Sequence, residues 1–431
     1  MGYQKFKTNW VPIIDDDKKV NIITNEIISN LRKIKINDNI KFLEDKNYGS
    51  LAEGTCGIAL TCGYLNKIYP NSSWDKLAHD YLKYSLEKQS YSQSISLFSG
   101  LSGMAFTASY LSQGSSRYKN LLDNLNKLII KKTANTIKDL IESKRSTPVW
   151  RYDLMSGLVG VGTYILYNNE LFNNKLLNDV LKDILNVLIY RINLNDDLLG
   201  FYTSQRDINW VGSSAKDIKK YKNGIIDCGI SHGISGVLAL LAKSYITEKK
   251  DVDGIKDGME TIMKWLTKFK TDDKFGIGWY GILPFNETTN SFILQKQSKI
   301  HIRDIWCYGS IGIASALFTS GNVIKNDYYI KLSLNAIDGM LKRLERENLP
   351  YYFCHGLSGI LQGLLHIYNY TNKKQFKDNS SVILNKIERV YETKLTNNKN
   401  LGLLTGNSGI LLSLLSASTK INPEWDRVFL Y

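Results

Sequence analysis

The sequence predicts an all-α fold, an α/α toroid of seven helical hairpins, and two observations carry that expectation. A glycine signal, Gly-x-x-Gly, recurs seven times along the 431 residues, and each copy opens an apolar run almost free of charge. Amphipathic, lysine-rich stretches alternate with those runs. Repeated helix pairs make either an open solenoid or a closed ring. The apolar runs favour the ring, because helices so poor in charge need neighbours on nearly every side.

The copies are Gly54-Thr-Cys-Gly57, Gly100-Leu-Ser-Gly103, Gly157-Leu-Val-Gly160, Gly233-Ile-Ser-Gly236, Gly309-Ser-Ile-Gly312, Gly356-Leu-Ser-Gly359 and Gly406-Asn-Ser-Gly409. Runs such as 104–111, 313–318 and 410–415 read as buried inner helices. Before each copy lies an outer, amphipathic stretch: 20–34, 74–88, 121–144, 176–191, 255–269, 328–346 and 382–394. Ile137, Leu140 and Ile141 illustrate its three-and-four spacing, with Lys, Asn and Asp on the other face. Glycine at the inner helix starts removes bulk where seven termini crowd together. Successive first glycines are 46, 57, 76, 76, 47 and 50 residues apart, so copies four and five follow insertions. Those insertions, 192–228 and 270–306, hold Leu199-Gly-Phe-Tyr-Thr-Ser and Phe275-Gly-Ile-Gly-Trp-Tyr-Gly. They read as loops or short strands that partly roof the mouth of the ring. The repeats fill the chain, so 1–431 is expected to be one domain.

Composition narrows the function. A chain that is 43% hydrophobic can bury a large core, and five cysteines, an odd number without secretory features, favour reduced thiols for metal or catalytic use over disulfides. No N-terminal apolar stretch or membrane-length uncharged run occurs, so a cytoplasmic protein is expected. The net charge of +14 sits mostly on repeated amphipathic helices without a basic arm. That pattern suits a solvated surface, with an acidic peptide as second choice, and no nucleic-acid partner is expected.

Chemistry follows from repeat phase. Asp153 lies four residues before Gly157, His232 one before Gly233, Cys307 two before Gly309, and Cys354 with His355 directly before Gly356. All therefore sit at the same end of inner helices from hairpins three to six, on one arc of one rim. Two thiolates and an imidazole suit a zinc site with an open fourth position, whereas isolated buried cysteines would be structural. Such a centre would lower a substrate thiol's pKa and hold the sulfur for attack on an electrophilic carbon. His232 and Asp153 can pair, the carboxylate fixing the tautomer while the imidazole moves protons; the alternatives are a packed core histidine and a capping aspartate. Arg303 would stabilise enolate charge or pair with an acid such as Asp304. Trp306 and Tyr308 flank Cys307 and would line the substrate cleft, with core packing the alternative for Trp306. Cys56, Cys62 and Cys228 are out of phase and read as packed residues, Cys228 keeping some chance of approaching the metal. His79 and His366 lie away from the rim, and His301 is too far from Gly309 to place.

With Trp306-Cys-Tyr-Gly309, Cys354-His-Gly356, Ser231-His-Gly-Ile-Ser-Gly236 and Asp153 ahead of its glycine signal, the chain resembles the lanthionine synthetase C-like family over essentially its whole length. The resemblance implies a zinc-dependent cyclase that adds peptide cysteine thiols to dehydroalanine or dehydrobutyrine, forming thioether rings. It implies Cys307, Cys354 and His355 as zinc ligands, His232 and Asp153 as the acid/base pair, and Arg303 as an active-site residue. The implied partners are a dehydrated precursor peptide with a leader, a separate dehydratase and an exporter at the membrane. Two other readings stay open: a non-catalytic thiol- or glutathione-binding relative, and a zinc thiolate alkyltransferase of the prenyltransferase kind, whose ring has six hairpins.

Overall fold

The computed structural model describes residues 9–14, 18–33, 49–88, 94–143, 146–194, 196–208, 221–247, 252–294, 302–345, 348–394 and 400–431. Among them, seven apolar inner helices, Thr55–Ile68, Leu101–Ser112, Leu158–Phe172, Ile234–Ile246, Ser310–Ile324, Leu357–Thr371 and Asn407–Ser418, each begin just after the first glycine of a signal. Every inner helix packs on the next, and the seventh packs on the first, so the ring closes. The sequence reason is lack of charge: all twelve residues of Leu101–Ser112 are buried, which only a ring of neighbours permits.

Seven amphipathic helices surround this ring: Lys18–Lys33, Trp74–Lys88, Lys119–Glu142, Lys175–Asn193, Ile255–Lys268, Asp327–Leu344 and Lys374–Lys394. The first buries Val20, Ile23, Thr24, Ile27 and Leu31, one stripe at helical spacing. Hairpin partnership corrects the sequence reading. Each outer helix packs chiefly on the inner helix before it, as Trp74–Lys88 does on Thr55–Ile68, and several also touch the one after it, as Trp74–Lys88 touches Leu101–Ser112. Lys18–Lys33, which has no inner helix before it, closes against Asn407–Ser418 at the far end of the chain. Backbone bonds from Ile13 and Ile14 to the Ala417 carbonyl help anchor that closure.

The second glycine of each signal has a specific steric task. A Cβ on Gly312 would lie 2.1 Å from the Trp306 carbonyl oxygen and 2.8 Å from Ile230 of the preceding repeat; one on Gly359 would lie 2.3 Å from the Phe353 oxygen and 3.1 Å from the Trp306 Cβ. The missing side chain therefore lets the segment before each helix fold back over its own first turn and receive the neighbouring repeat.

The insertions join each other. β1, Ile225–Asp227, pairs antiparallel with β4, Ile282–Asn286, in the register Ile225 to Pro284, and β4 pairs with β5, Ser291–Phe292. β2, Thr271–Asp273, and β3, Gly276–Gly278, form a separate hairpin. The segment expected as loop or strand near Leu199 is instead a 3-10 turn, Asp196–Phe201. The chain ends in a further 3-10 turn, Glu424–Phe429, whose Trp425, Val428 and Phe429 are buried inside the ring.

Candidate active site

The loops preceding the inner helices are stitched together by a belt of backbone hydrogen bonds. The Ala52 N–H donates to the Phe98 carbonyl at 3.0 Å, Phe98 to Met155 at 3.1 Å, Leu154 to Ser231 at 3.1 Å, Ser231 to Cys307 at 3.4 Å, Cys354 to Leu404 at 2.9 Å, and Leu404 to Ala52 at 3.0 Å. Six of the seven junctions are bridged this way. The exception, among the described residues, is the junction between the fifth and sixth repeats, where Cys307 and Cys354 face each other.

At that seam the two thiols and the His355 imidazole offer ligand atoms all within 4.8 Å of one another. The cysteines are buried and His355 is exposed, so the group is backed by protein and open to solvent on one side. Burial opposes ionisation of the Cys307 thiol, but hydrogen bonds with Cys354 and His355 and the nearby imidazoles outweigh it and bring its pKa down. Cys354 is pushed up by its hydrogen bond with Cys307 and by burial, since two adjacent thiolates repel. His355 is raised, chiefly by its hydrogen bond with Cys307. Two soft sulfur donors and one imidazole fit a tetrahedral zinc ion with one position left over, and this is the one group of three or more His, Cys, Asp or Glu ligands so gathered among the described residues.

His232 lies across the rim. Its Nδ1 is 2.5 Å from Asp153 Oδ2, while Asp153 Oδ1 accepts from the backbone N–H groups of Ser156 at 2.7 Å and Gly157 at 2.8 Å. One Asp153 oxygen thus pairs with His232 while the other holds the turn that leads into Leu158–Phe172, a helix with no side-chain cap at its start. Burial disfavours the charged imidazolium, yet the Asp153 hydrogen bond and charge, with Asp227 and Cys307 behind, leave the pKa of His232 above its ordinary value of 6.5. The Tyr308 ring stacks on His232 at 5.6 Å and 26°, and Tyr308 is half-buried.

Arg303 is exposed and makes no ion pair among the described residues. Its expected alternative partner is taken: Asp304 is buried in a two-point pair with Arg343, at 2.8 and 3.0 Å. Trp306 corrects the expectation that it lines the cleft. It is fully buried, its Nε1 donates to the Phe429 carbonyl at 3.3 Å, and its ring packs on Phe353 and Phe429. Cys228 is buried outside the three-ligand group, its thiol pushed up by burial. Cys56 and Cys62 are buried in the first inner helix. His79 bonds Tyr118 at 3.0 Å, and His301 lies outside the described residues.

Sequence reasoning passed over Asp227. Its carboxyl is wholly buried at the end of β1, accepts from the Gly229 N–H at 2.8 Å, and is pushed up to about 7 by burial against the opposing influence of His232. An acid five residues before His232 was the available signal. The sheet bearing it adjoins the cleft: the Cys228 N–H donates to Gly281 O at 2.8 Å, and Gly281 lies against Tyr308.

Comparison with known proteins agrees with this geometry. The family model for lanthionine synthetase C-like proteins matches residues 45–430. The nisin biosynthesis protein NisC of Lactococcus lactis subsp. lactis is 26% identical over 378 residues, covering 86% of each chain. The solved structure of nisin cyclase superposes with a TM-score of 0.78 at 25% identity, covering 96% of each chain.

Proposed function

The chain belongs to the lanthionine synthetase C-like family, and from that premise we propose that it is a zinc-dependent lanthipeptide cyclase, closing thioether rings in a dehydrated precursor peptide. The observation that carries the reading is the gathering of Cys307, Cys354 and His355 at the seam, with the His232–Asp153 pair on the same rim.

Cys307, Cys354 and His355 would hold the zinc, which supplies Lewis acidity that keeps a substrate cysteine ionised near neutral pH. The remaining chemistry falls to the chain's own residues. The substrate sulfur adds to the β-carbon of a dehydroalanine or dehydrobutyrine, a C–S bond forms, and the alkene π electrons move toward the carbonyl as an enolate. Arg303, exposed at the cleft, offers its guanidinium to that developing charge. His232, whose imidazolium Asp153 favours, delivers the proton that completes addition at the α-carbon. Tyr308 fixes the imidazole plane by stacking and walls one side of the cleft. The thiol proton released and the proton added at carbon balance, so mass does not change.

The β1–β4–β5 sheet roofs part of the cleft and narrows the approach of the peptide. A dehydratase acts before this step, since it must supply the alkene, and an exporter would take the product. Among the described residues no helix is long and apolar enough to cross a membrane. The seven-membered inner ring weighs against the six-hairpin alkyltransferase reading.

The test is incubation of purified protein with a dehydrated precursor containing free cysteines. Alkylatable thiols should disappear at constant mass, with characteristic resistance of the rings to fragmentation. Unchanged thiol counts with zinc-loaded protein would refute the activity.

A further inference from the structure

Among the described residues, the seam between the fifth and sixth repeats lacks the backbone bond that spaces every other junction, so something else must set the distance between Cys307 and Cys354. We propose that Phe429, on the C-terminal 3-10 turn, is the positioning residue that does so.

The residues immediately before the two cysteines are Trp306 and Phe353, both fully buried. Their rings meet edge-on at 5.9 Å, and both rest on Phe429: Phe353 stacks on it at 4.0 Å and 29°, and Trp306 meets it at 5.0 Å and 88°. The Phe429 backbone takes part as well, since Trp306 Nε1 donates to its carbonyl. Phe429 thus touches both sides of the unbridged junction, one residue behind each thiol. Phe98 of the second repeat, on another part of the rim, packs on it from a further direction, 5.7 Å away.

A wedge can set a spacing only if it is held itself, and this turn is braced from several inner helices. Lys67 of the first pairs with Glu424 at 2.6 Å, and Glu170 of the third pairs with Arg427 at 3.2 Å. Gln362 and His366 of the sixth hold Asp426 at 2.6 and 2.5 Å, and Ser416 of the seventh accepts from Trp425 Nε1 at 3.3 Å. The position of Phe429 is therefore referred to the whole ring, and through Trp306 and Phe353 it is passed to the two cysteines. Residues that orient ligands without touching the metal are commonly needed for its affinity.

The proposal rests on the reading that these cysteines bind a metal, so its test reads metal binding directly, with Co2+ as probe. Phe429→Ala should bind Co2+ about 10–100-fold more weakly than the unaltered protein, with altered thiolate-to-cobalt absorption. Phe429→Leu, which keeps bulk but not the flat ring between Trp306 and Phe353, should weaken binding about 3–10-fold. Leu140→Ala, in the core of an outer helix and fully buried, should lower the melting temperature while leaving the cobalt spectrum and affinity unchanged. If Phe429→Ala does not fold, Phe429→Leu decides. Unaltered affinity and spectrum in a folded Phe429 variant, or equal weakening in Leu140→Ala, would overturn the positioning role. An unaltered protein that takes up no Co2+ would overturn the metal reading, and this inference with it.

Discussion

Two histidine–aspartate pairs stand among the described residues of this ring, and they have the same length. His232 Nδ1 sits 2.5 Å from Asp153 Oδ2, and His366 Nε2 sits 2.5 Å from Asp426 Oδ2. The first stands on the rim beside the thiols. The second lies well along the sixth inner helix, toward the opposite end of the ring, in the wall of a cavity of about 140 Å3. There His366 is clamped by aromatic rings, Tyr431 stacked at 5.1 Å and 11° and Trp10 edge-on at 5.1 Å and 63°, and its aspartate braces the C-terminal turn. A carboxylate-held imidazole is therefore not a signature of chemistry in itself. What separates the pairs is the company they keep, and repeat phase is what places one of them with Cys307, Cys354 and His355.

The largest effect that would break this contrast is expected at the seam. Cys354→Ala removes one of three ligands and should abolish both metal uptake and ring closure; a fully metallated variant, measured by elemental analysis, would remove Cys354 from the site. The two histidines come next. His232→Ala should slow cyclisation by about 10²–10⁴-fold with metal content retained, the range for loss of a proton-transfer group. His366→Ala should lower the melting temperature and slow cyclisation far less than His232→Ala, because it strips only one of several supports from the C-terminal turn. Equal rate losses in the two variants would erase the distinction.

A finer test concerns the charge of Asp153. Its carboxylate favours the imidazolium of His232, whose pKa is raised, so Asp153→Asn should lower that pKa, as read from the histidine ring signals by NMR. The amide oxygen can still accept from the Ser156 and Gly157 N–H groups, which keeps the turn before the helix intact. Linkage has the corresponding sign: the pair's contribution to stability is fully present below pH 6.5 and fades as pH rises through the raised value. In the Asn variant that loss should vanish. The smallest effect is expected far from both pairs, at the surface contact of Arg117 with Asp75, where Arg117→Ala should cost about 0–1 kcal/mol in a denaturant titration.

The repeat was legible because its glycines answer a local demand. The second glycine of each signal clears the carbonyl of its own preceding loop, so the signal survives in the sequence at every copy. From that phase alone Cys307 and Cys354 fall at equivalent places in adjacent repeats, and their proximity follows. Helix partnership was not legible, since an amphipathic stripe records that a helix is half-buried and says nothing of which neighbour covers it. Lys18–Lys33 packs on Asn407–Ser418, a partner some 370 residues away. Trp306 reads equally well as wall or core beside Cys307, and only its burial in the structure decides for core. Phe429 gave no signal at all: it belongs to no repeat, and its importance comes from rings contributed by residues 98, 306, 353 and 425.

The central claim is that Cys307, Cys354 and His355 bind one zinc and leave a place for a substrate sulfur. X-ray absorption at the zinc edge, with and without a cysteine-containing dehydrated peptide, tests it most directly. Two sulfur neighbours should be present without the peptide and three with it, the third absent when the peptide's cysteines are replaced by serine. A sulfur count that stays the same when the peptide binds, or a zinc surrounded by nitrogen and oxygen alone, would contradict it.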